Sequence, residues 1–286
     1  MKLPAPANAD GSPTPARAAE GRDDATLLAT IVAAARAAAA VIRAYEPELA
    51  TLRWETKSPS DFVSLVDRAA EASIATTIAA RLPDARLLGE ENSPDLARLD
   101  EGVVFVADPL DGTTNFLHGF PAYAVSIAAL VDGELRAAAI LDVPRNELFT
   151  ATRGGGAERD GNAITVSTIT DPSRALLGTG FPFKVHEHVA PYLAPLPGIM
   201  TSTAGIRRPG AAALDLAAVA CGRFDAFWEL TLAPWDVAAG MLLVREAGGI
   251  VTDLTGIDSR VAHAGVICGN PVMHRWLLDQ LTNPRS

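Results

Sequence analysis

The sequence predicts a mixed α+β and α/β protein, with an antiparallel sheet in its N-terminal half and a mixed strand-and-helix arrangement in its C-terminal half. Three observations predict it. Apolar residues first recur at helical spacing in two segments, then gather in strand-like runs joined by turn signals, and past Thr168 alternate between strand and helix patterns. A break at 168–173, punctuated by Asp171-Pro172, divides the chain into a 24–170 half and a 171–286 half, after a tail at 1–23.

Residues 1–23 carry Pro4, Pro6, Pro13 and Pro15 among small and polar residues, without the apolar run of a signal peptide, and are expected to be disordered. The first helix is expected over 25–45, where Leu27, Leu28, Ile31, Val32, Val41, Ile42 and Tyr45 fall at three- and four-residue steps. Arg36 and Arg43 interrupt it, so no membrane span is expected. A second helix is expected over 66–81, with Ile74 and Ile78 on one face and Pro83 stopping it.

The period then changes. A short strand is expected at 86–89 and a strand buried on both faces at 103–107. Strands at 123–131 and 135–143 flank the hairpin signal Asp132-Gly133. Further strands are expected at 147–153 and 163–167, with Gly154-Gly155-Gly156 as a hairpin loop. In the second half, strands are expected at 176–180, 224–229, 250–253 and 265–268, and helices at 211–221, 236–247 and 272–281.

Composition narrows the function. With 286 residues, 49% hydrophobic and 20% charged, the chain has the apolar material for a core. Its formal charge of −10, from 34 acidic and 24 basic residues without a Lys/Arg block, argues against nucleic acid as the main ligand. Cys221 and Cys268 make no disulfide framework and no His/Cys cluster has zinc spacing, so a reducing, cytoplasmic protein is expected.

The chemistry gathers at Asp108-Pro109-Leu110-Asp111-Gly112-Thr113-Thr114-Asn115. Pro109 and Gly112 fix a tight turn in which Asp108, the Leu110 carbonyl and Asp111 converge, leaving the Gly112 and Thr113 N–H groups to receive a phosphate. Converging carboxylates without His or Cys select Mg²⁺ or Mn²⁺. Taken alone, this segment reads equally well as a surface turn. Glu90 in Gly89-Glu90-Glu91 reads alone as a solvated loop, Asp236 after Pro234-Trp235 as a helix N-cap, and Asp67 with Glu71 as an exposed acidic face.

The whole set resembles the inositol monophosphatase family of metal-dependent phosphatases, from about Ala25 onward. Asp108-Pro-Leu-Asp-Gly-Thr-Thr-Asn-Phe116 looks like its first signature. Trp235-Asp236-Val-Ala-Ala-Gly240 with Glu246-Ala-Gly-Gly249 looks like its second, and Gly89-Glu-Glu and Asp61-Phe-Val-Ser-Leu-Val-Asp67 lie upstream in order. By that similarity Glu90, Asp108, Asp111, Asp236 and the Leu110 carbonyl would be metal ligands for two or three Mg²⁺ ions, and Asp67 with Thr113 would position the attacking water. The resemblance implies a layered α-β-α-β-α sugar-phosphatase fold, a homodimer and sensitivity to lithium.

It also implies a specificity region. Glu229 matches a position that accepts substrate hydroxyls, and Ala211 replaces the Ser or Thr common in the family, removing one hydrogen bond to a polyol; Ser64 stands where Thr is usual. Thr114-Asn115-Phe116 resembles the inositol branch more than the nucleotide 3′-phosphatase, histidinol-phosphatase or sugar-bisphosphatase branches, which often carry Lys after the Thr. The expected reaction is hydrolysis of a small phosphomonoester, myo-inositol monophosphate first among them. A regulatory binding protein on the same fold is the alternative of another class.

Overall fold

The computed structural model describes residues 23–51, 54–58, 61–91, 99–183 and 185–283. Of the tail expected at 1–23, residues 1–22 lie outside them, as do the side chains of residues 50–64, Ser64 included. Asp23, placed in the tail by the sequence, is the N-cap of the first helix and accepts from the N–H groups of Ala25 and Thr26.

Two helices open the fold, α1 (Asp24–Tyr45) and α2 (Leu65–Arg81), separated by a 3₁₀ turn at Glu46–Thr51 and the hairpin β1 (Trp54–Ser58) and β2 (Asp61–Ser64). Seven strands follow: β3 (Arg86–Gly89), β4 (Val103–Asp111), β5 (Ala124–Val131), β6 (Glu134–Asp142), β7 (Glu147–Thr152), β8 (Gly156–Arg159) and β9 (Asn162–Ile164). A short helix, α3 (Thr113–Leu117), sits between β4 and β5. The strands form one sheet in chain order, antiparallel except for β3 beside β4. Asp132 and Gly133, both at positive φ, make the tight β5–β6 turn that their identity signals.

The second half contains β10 (Leu176–Thr179), α4 (Val189–Leu193), α5 (Leu196–Ser202), β11 (Gly205–Arg207), α6 (Ala212–Ala220), β12 (Ala226–Leu232), α7 (Pro234–Glu246), β13 (Ile250–Thr252), β14 (Ala264–Gly269) and α8 (Pro271–Thr282). Its sheet runs β11-β10-β12-β14-β13, parallel on the β11 side and antiparallel at β14.

These elements stack in five α-β-α-β-α layers. On β4, Phe105 and Ala107 pack against α1 and α2, while Val104 and Val106 pack against the core shared with α6 and α7. Burial of both faces is why 103–107 is apolar at every step rather than at alternate ones. The second sheet presents Phe227, Val266 and Cys268 to the same central helices, and Trp228 and Ile267 to the outer layer with Tyr192, Ile199 and Leu277. The helix α1 is long and apolar enough to cross a membrane, yet Leu27, Ile31, Ala34, Ala38 and Ile42 are fully buried in this core.

The strand β8 between 156 and 159 is absent from the sequence reading, because only Ala157 of its four residues is buried and no alternation shows. The helices α4 and α5 were also missed, since Pro191, Pro195 and Pro197 obscure any helical period.

Candidate active site

Asp108 and Asp111 come together through a bulge. The sequence suggested a turn beyond a strand ending at Ala107, but β4 continues to Asp111, pairing Asp108 with Ser126 and Asp111 with Ala124. Three steps on β4 thus oppose two on β5, so one residue is extra. In a regular strand, residues three apart point to opposite faces. The extra residue restores the phase, and both carboxylates line the same cleft of about 680 Å³.

Four further acids line it: Glu90 at the end of β3, Asp215 on α6, Glu229 on β12 and Asp236 on α7. Asp108 and Asp111 are buried. Burial holds the Asp108 carboxyl well above its ordinary pKa, and the charges of Glu90, Asp111 and Asp236 push it further. For Asp111, burial and then Asp236 raise the pKa to about 8. Mutual repulsion of this kind is relieved by a cation among the acids, and hard oxygen donors suit Mg²⁺ or Mn²⁺, so the residues present fit such an ion. Among the described residues, no three acidic, His or Cys side chains already stand at the spacing of a closed metal shell. The acids raise one another's pKa across the cleft.

Asp108, Asp111 and Asp236 are each held by a specific contact. Asp108 Oδ1 accepts from Leu110 N–H at 2.9 Å inside the bulge. Asp111 Oδ2 accepts from Ala213 N–H at 2.7 Å, across the two halves. Ala211 occupies the N-cap of α6 and offers no side-chain acceptor, so Asp111 supplies the cap that Ala211 cannot. Asp236 is the third residue of α7 rather than its N-cap; its Oδ2 reaches back to Ala233 N–H at 2.7 Å. Thr113 Oγ1 lies 2.7 Å from Asp67 Oδ1 and 3.1 Å from the Leu110 carbonyl.

Asp67 and Glu71 are not an exposed acidic face. Both are buried, Asp67 beneath Thr113, and Glu71 with Oε2 accepting from Glu91 N–H at 2.8 Å. A Cβ on Gly89 would fall 2.3 Å from that Glu71 oxygen, so only glycine lets the carboxylate brace the Glu90-Glu91 turn. The sequence reading has Glu71 only as part of an exposed acidic face and passes over Asp215. Asp215 is buried, its Oδ1 has no hydrogen-bond partner, and burial, then Asp111 and Glu229, hold its pKa well above normal. The available signal was a lone acid within the apolar Ala-Ala-Leu-Asp-Leu-Ala-Ala run.

Glu229 lines the cleft with its carboxylate against the Gly180 backbone, where a Cβ would come within 2.0 Å. Ala211 lines the cleft but is only 1% exposed. Gly112, at φ 92°, faces the Ala122 carbonyl so closely that a Cβ would lie 2.8 Å from it. Asn115 Nδ2 donates to the Ala122, Pro209 and Gly210 carbonyls, tying the first signature to the segment before α6.

Comparison with known proteins agrees with this layout. Over 260 residues the chain is 43% identical to the protein named Nus factor SuhB of Salmonella typhimurium, spanning 91% of this chain and 97% of that one. It is 42% identical over 237 residues to the inositol-1-monophosphatase of Rhizobium meliloti, spanning 83% and 89%. The crystal structure of extragenic suppressor protein suhB from Bartonella henselae matches with a TM-score of 0.85 at 40% identity, covering 90% of this chain and 98% of that one. The sequence profile of the inositol monophosphatase family, whose members are generally metal-dependent, matches residues 23–285, and the chain belongs to that family.

Proposed function

We propose that this protein hydrolyses a phosphomonoester with Mg²⁺ as cofactor, myo-inositol monophosphate being the first substrate to test. The observation that carries the reading is the bulge that turns Asp108 and Asp111 to one side, facing Glu90 and Asp236, next to the Thr113–Asp67 pair. Glu90, Asp108, the Leu110 carbonyl, Asp111 and Asp236 would hold two or three ions, with Mn²⁺ as a substitute. When bound, such ions polarise the phosphoryl oxygens, lower the pKa of water and stabilise the leaving oxygen.

The chain's own groups do the rest. Thr113 commits its hydroxyl proton to Asp67, the nearer of its two acceptors, which leaves its oxygen lone pairs to accept from the attacking water. That fixes the water's direction of approach, the positioning on which phosphoryl transfer depends. The Gly112 and Thr113 N–H groups would hold phosphate oxygens. Glu229 would accept leaving-group hydroxyls, and Ala211 would wall that side of the cleft without offering a hydroxyl of its own. The small-molecule reading extends to a cytoplasmic homodimer inhibited by lithium, which sizing chromatography and a Li⁺ titration test.

Phosphate release from a panel of phosphomonoesters, by wild type and by Asp108→Asn, tests the reading; a panel with no substrate would overturn it. A second reading, a regulatory binding role, is favoured by the name Nus factor carried by relatives at 43% identity. A cellular role that survives Asp108→Asn would select it.

A further inference from the structure

Arg36 and Arg43 interrupt the apolar run of α1, and neither lines the acid-lined cleft. Seven residues apart, they fall on one face of the helix, about 10 Å from each other along its axis. Both line a second cavity, of about 330 Å³, that shares no residue with the cleft. Its other walls are Leu141 on β6, Leu148 on β7, Asn146 in the β6–β7 turn and Asp160 in the β8–β9 turn. These walls are tied to one another. Arg43 Nη2 donates to the Val143 carbonyl at 3.0 Å and to Asn146 Oδ1 at 2.8 Å, which fixes the guanidinium against the turn and leaves its other N–H groups for a ligand. Asp160 Oδ1 accepts from Leu148 N–H at 2.9 Å.

The charges around the cavity do not cancel. In this acidic chain, Arg136 pairs with Asp24, Arg145 with Asp142, and Arg223 with Glu147. Neither Arg36 nor Arg43 has a carboxylate partner among the described residues. Glu46, one turn beyond Arg43, accepts from the Tyr123 hydroxyl at 2.9 Å, and the acids flanking the β6–β7 turn, Asp142 and Glu147, are taken by Arg145 and Arg223. Two guanidinium groups therefore face the cavity against the single carboxylate of Asp160. Guanidinium forks match the oxygens of a phosphate group, and the volume is at the low end of the range for small-molecule sites. Leu141 and Leu148 add an apolar wall, and Asp160 an acceptor for a hydroxyl.

We propose that this cavity is an anion site in which Arg36 and Arg43 hold a phosphate group, as inorganic phosphate or as the head of a small hydroxylated phosphomonoester. The site does not depend on the phosphatase reading, because none of its residues lines the cleft.

The test is calorimetric titration of inorganic phosphate, and separately of glycerol 3-phosphate, into the full chain in excess chelator. Without a cation the acids of the cleft repel anions, so binding under these conditions reports on the second cavity. Saturable binding of at least one probe is expected, weakening as salt is added. Arg36→Gln and Arg43→Gln should each weaken it about tenfold or more, the scale of one hydrogen bond to a charged group. Asp160→Asn, which removes the opposing charge, should tighten phosphate. Arg36 is exposed and makes no ion pair within the described residues, so its variant should melt with wild type even if Arg43→Gln loosens the turn. Tighter binding of glycerol 3-phosphate than of phosphate would assign the ester, and equal or weaker binding the free ion. No saturable binding of either probe, or an affinity that Arg36→Gln leaves unchanged, would overturn the proposal. An affinity moved by Asp108→Asn and not by Arg36→Gln would place the anion in the cleft and overturn it too. So would binding of a glutamate-rich peptide in place of both probes, which would make the cavity a contact for an acidic protein segment.

Discussion

Thr113 and Asp67, 46 residues apart, are joined by a 2.7 Å hydrogen bond that links the first signature to the start of α2. A hydroxyl can donate only once, so its direction is set by the buried carboxylate beneath it. Thr113→Val should lower turnover on the order of 10²-fold or more, the range for losing a positioned proton-transfer group, whereas Thr113→Ser should keep most of it. The Mg²⁺-induced rise in melting temperature should be unchanged in both. A Val variant with wild-type turnover would remove Thr113 from the mechanism.

Metal-free stability should fall with rising pH. Burial and neighbouring acids raise the folded pKa of Asp111 from 3.8 to about 8, and that of Asp108 moves the same way. Between those values the folded state binds more protons than the unfolded state, so each unit of pH gained costs stability, and the loss is complete above the folded pKa. Melts in excess chelator should therefore drop across this window. Asp108→Asn removes one of the charges and should flatten the slope while melting at or above wild type at the alkaline end. A variant that melts far below wild type there would give Asp108 a structural role.

Glu71 braces the turn that presents Glu90, and Gly89 makes room for it. Glu71→Ala should raise the Mg²⁺ concentration for half-maximal activity by about 10- to 100-fold, as for other groups that orient metal ligands. Gly89→Ala should act in the same direction by displacing the Glu71 carboxylate. Unchanged Mg²⁺ dependence in both would mean that the turn holds its shape without the brace.

Asp111 caps α6 because Ala211 cannot. Ala211→Ser would give the helix its own acceptor and should stabilise the metal-free protein by about 1 kcal/mol, the usual worth of an N-cap. Chemical denaturation in chelator reads this directly. A loss of stability would show that the buried position has no room for the hydroxyl.

Most of the fold was legible because its strongest signals are local. The continuous apolar run at 103–107, the Asp132-Gly133 turn and the Pro-bounded helices each depend on neighbours within a few residues. The acids at 90, 108, 111 and 236 were legible as a set through the family's signatures, not one by one. What stayed hidden depends on distant packing. Glu71 looks like a surface acid until the β3 turn is laid over it, and Asp215 looks misplaced until α6 is set beside the cleft. The bulge is a register relation between β4 and β5 that neither strand displays alone. Phe181 and Arg208 are far apart in sequence and meet only because Asn115 and Tyr192 hold their segments.

The central claim is that the converging carboxylates serve a divalent cation in phosphomonoester hydrolysis. The most direct measurement is phosphate release from inositol 1-phosphate by the full chain, first in excess chelator and then after Mg²⁺ is restored. The account predicts no release in chelator, full recovery with Mg²⁺ and none at either stage for Asp108→Asn. Release at the full rate in chelator would contradict it.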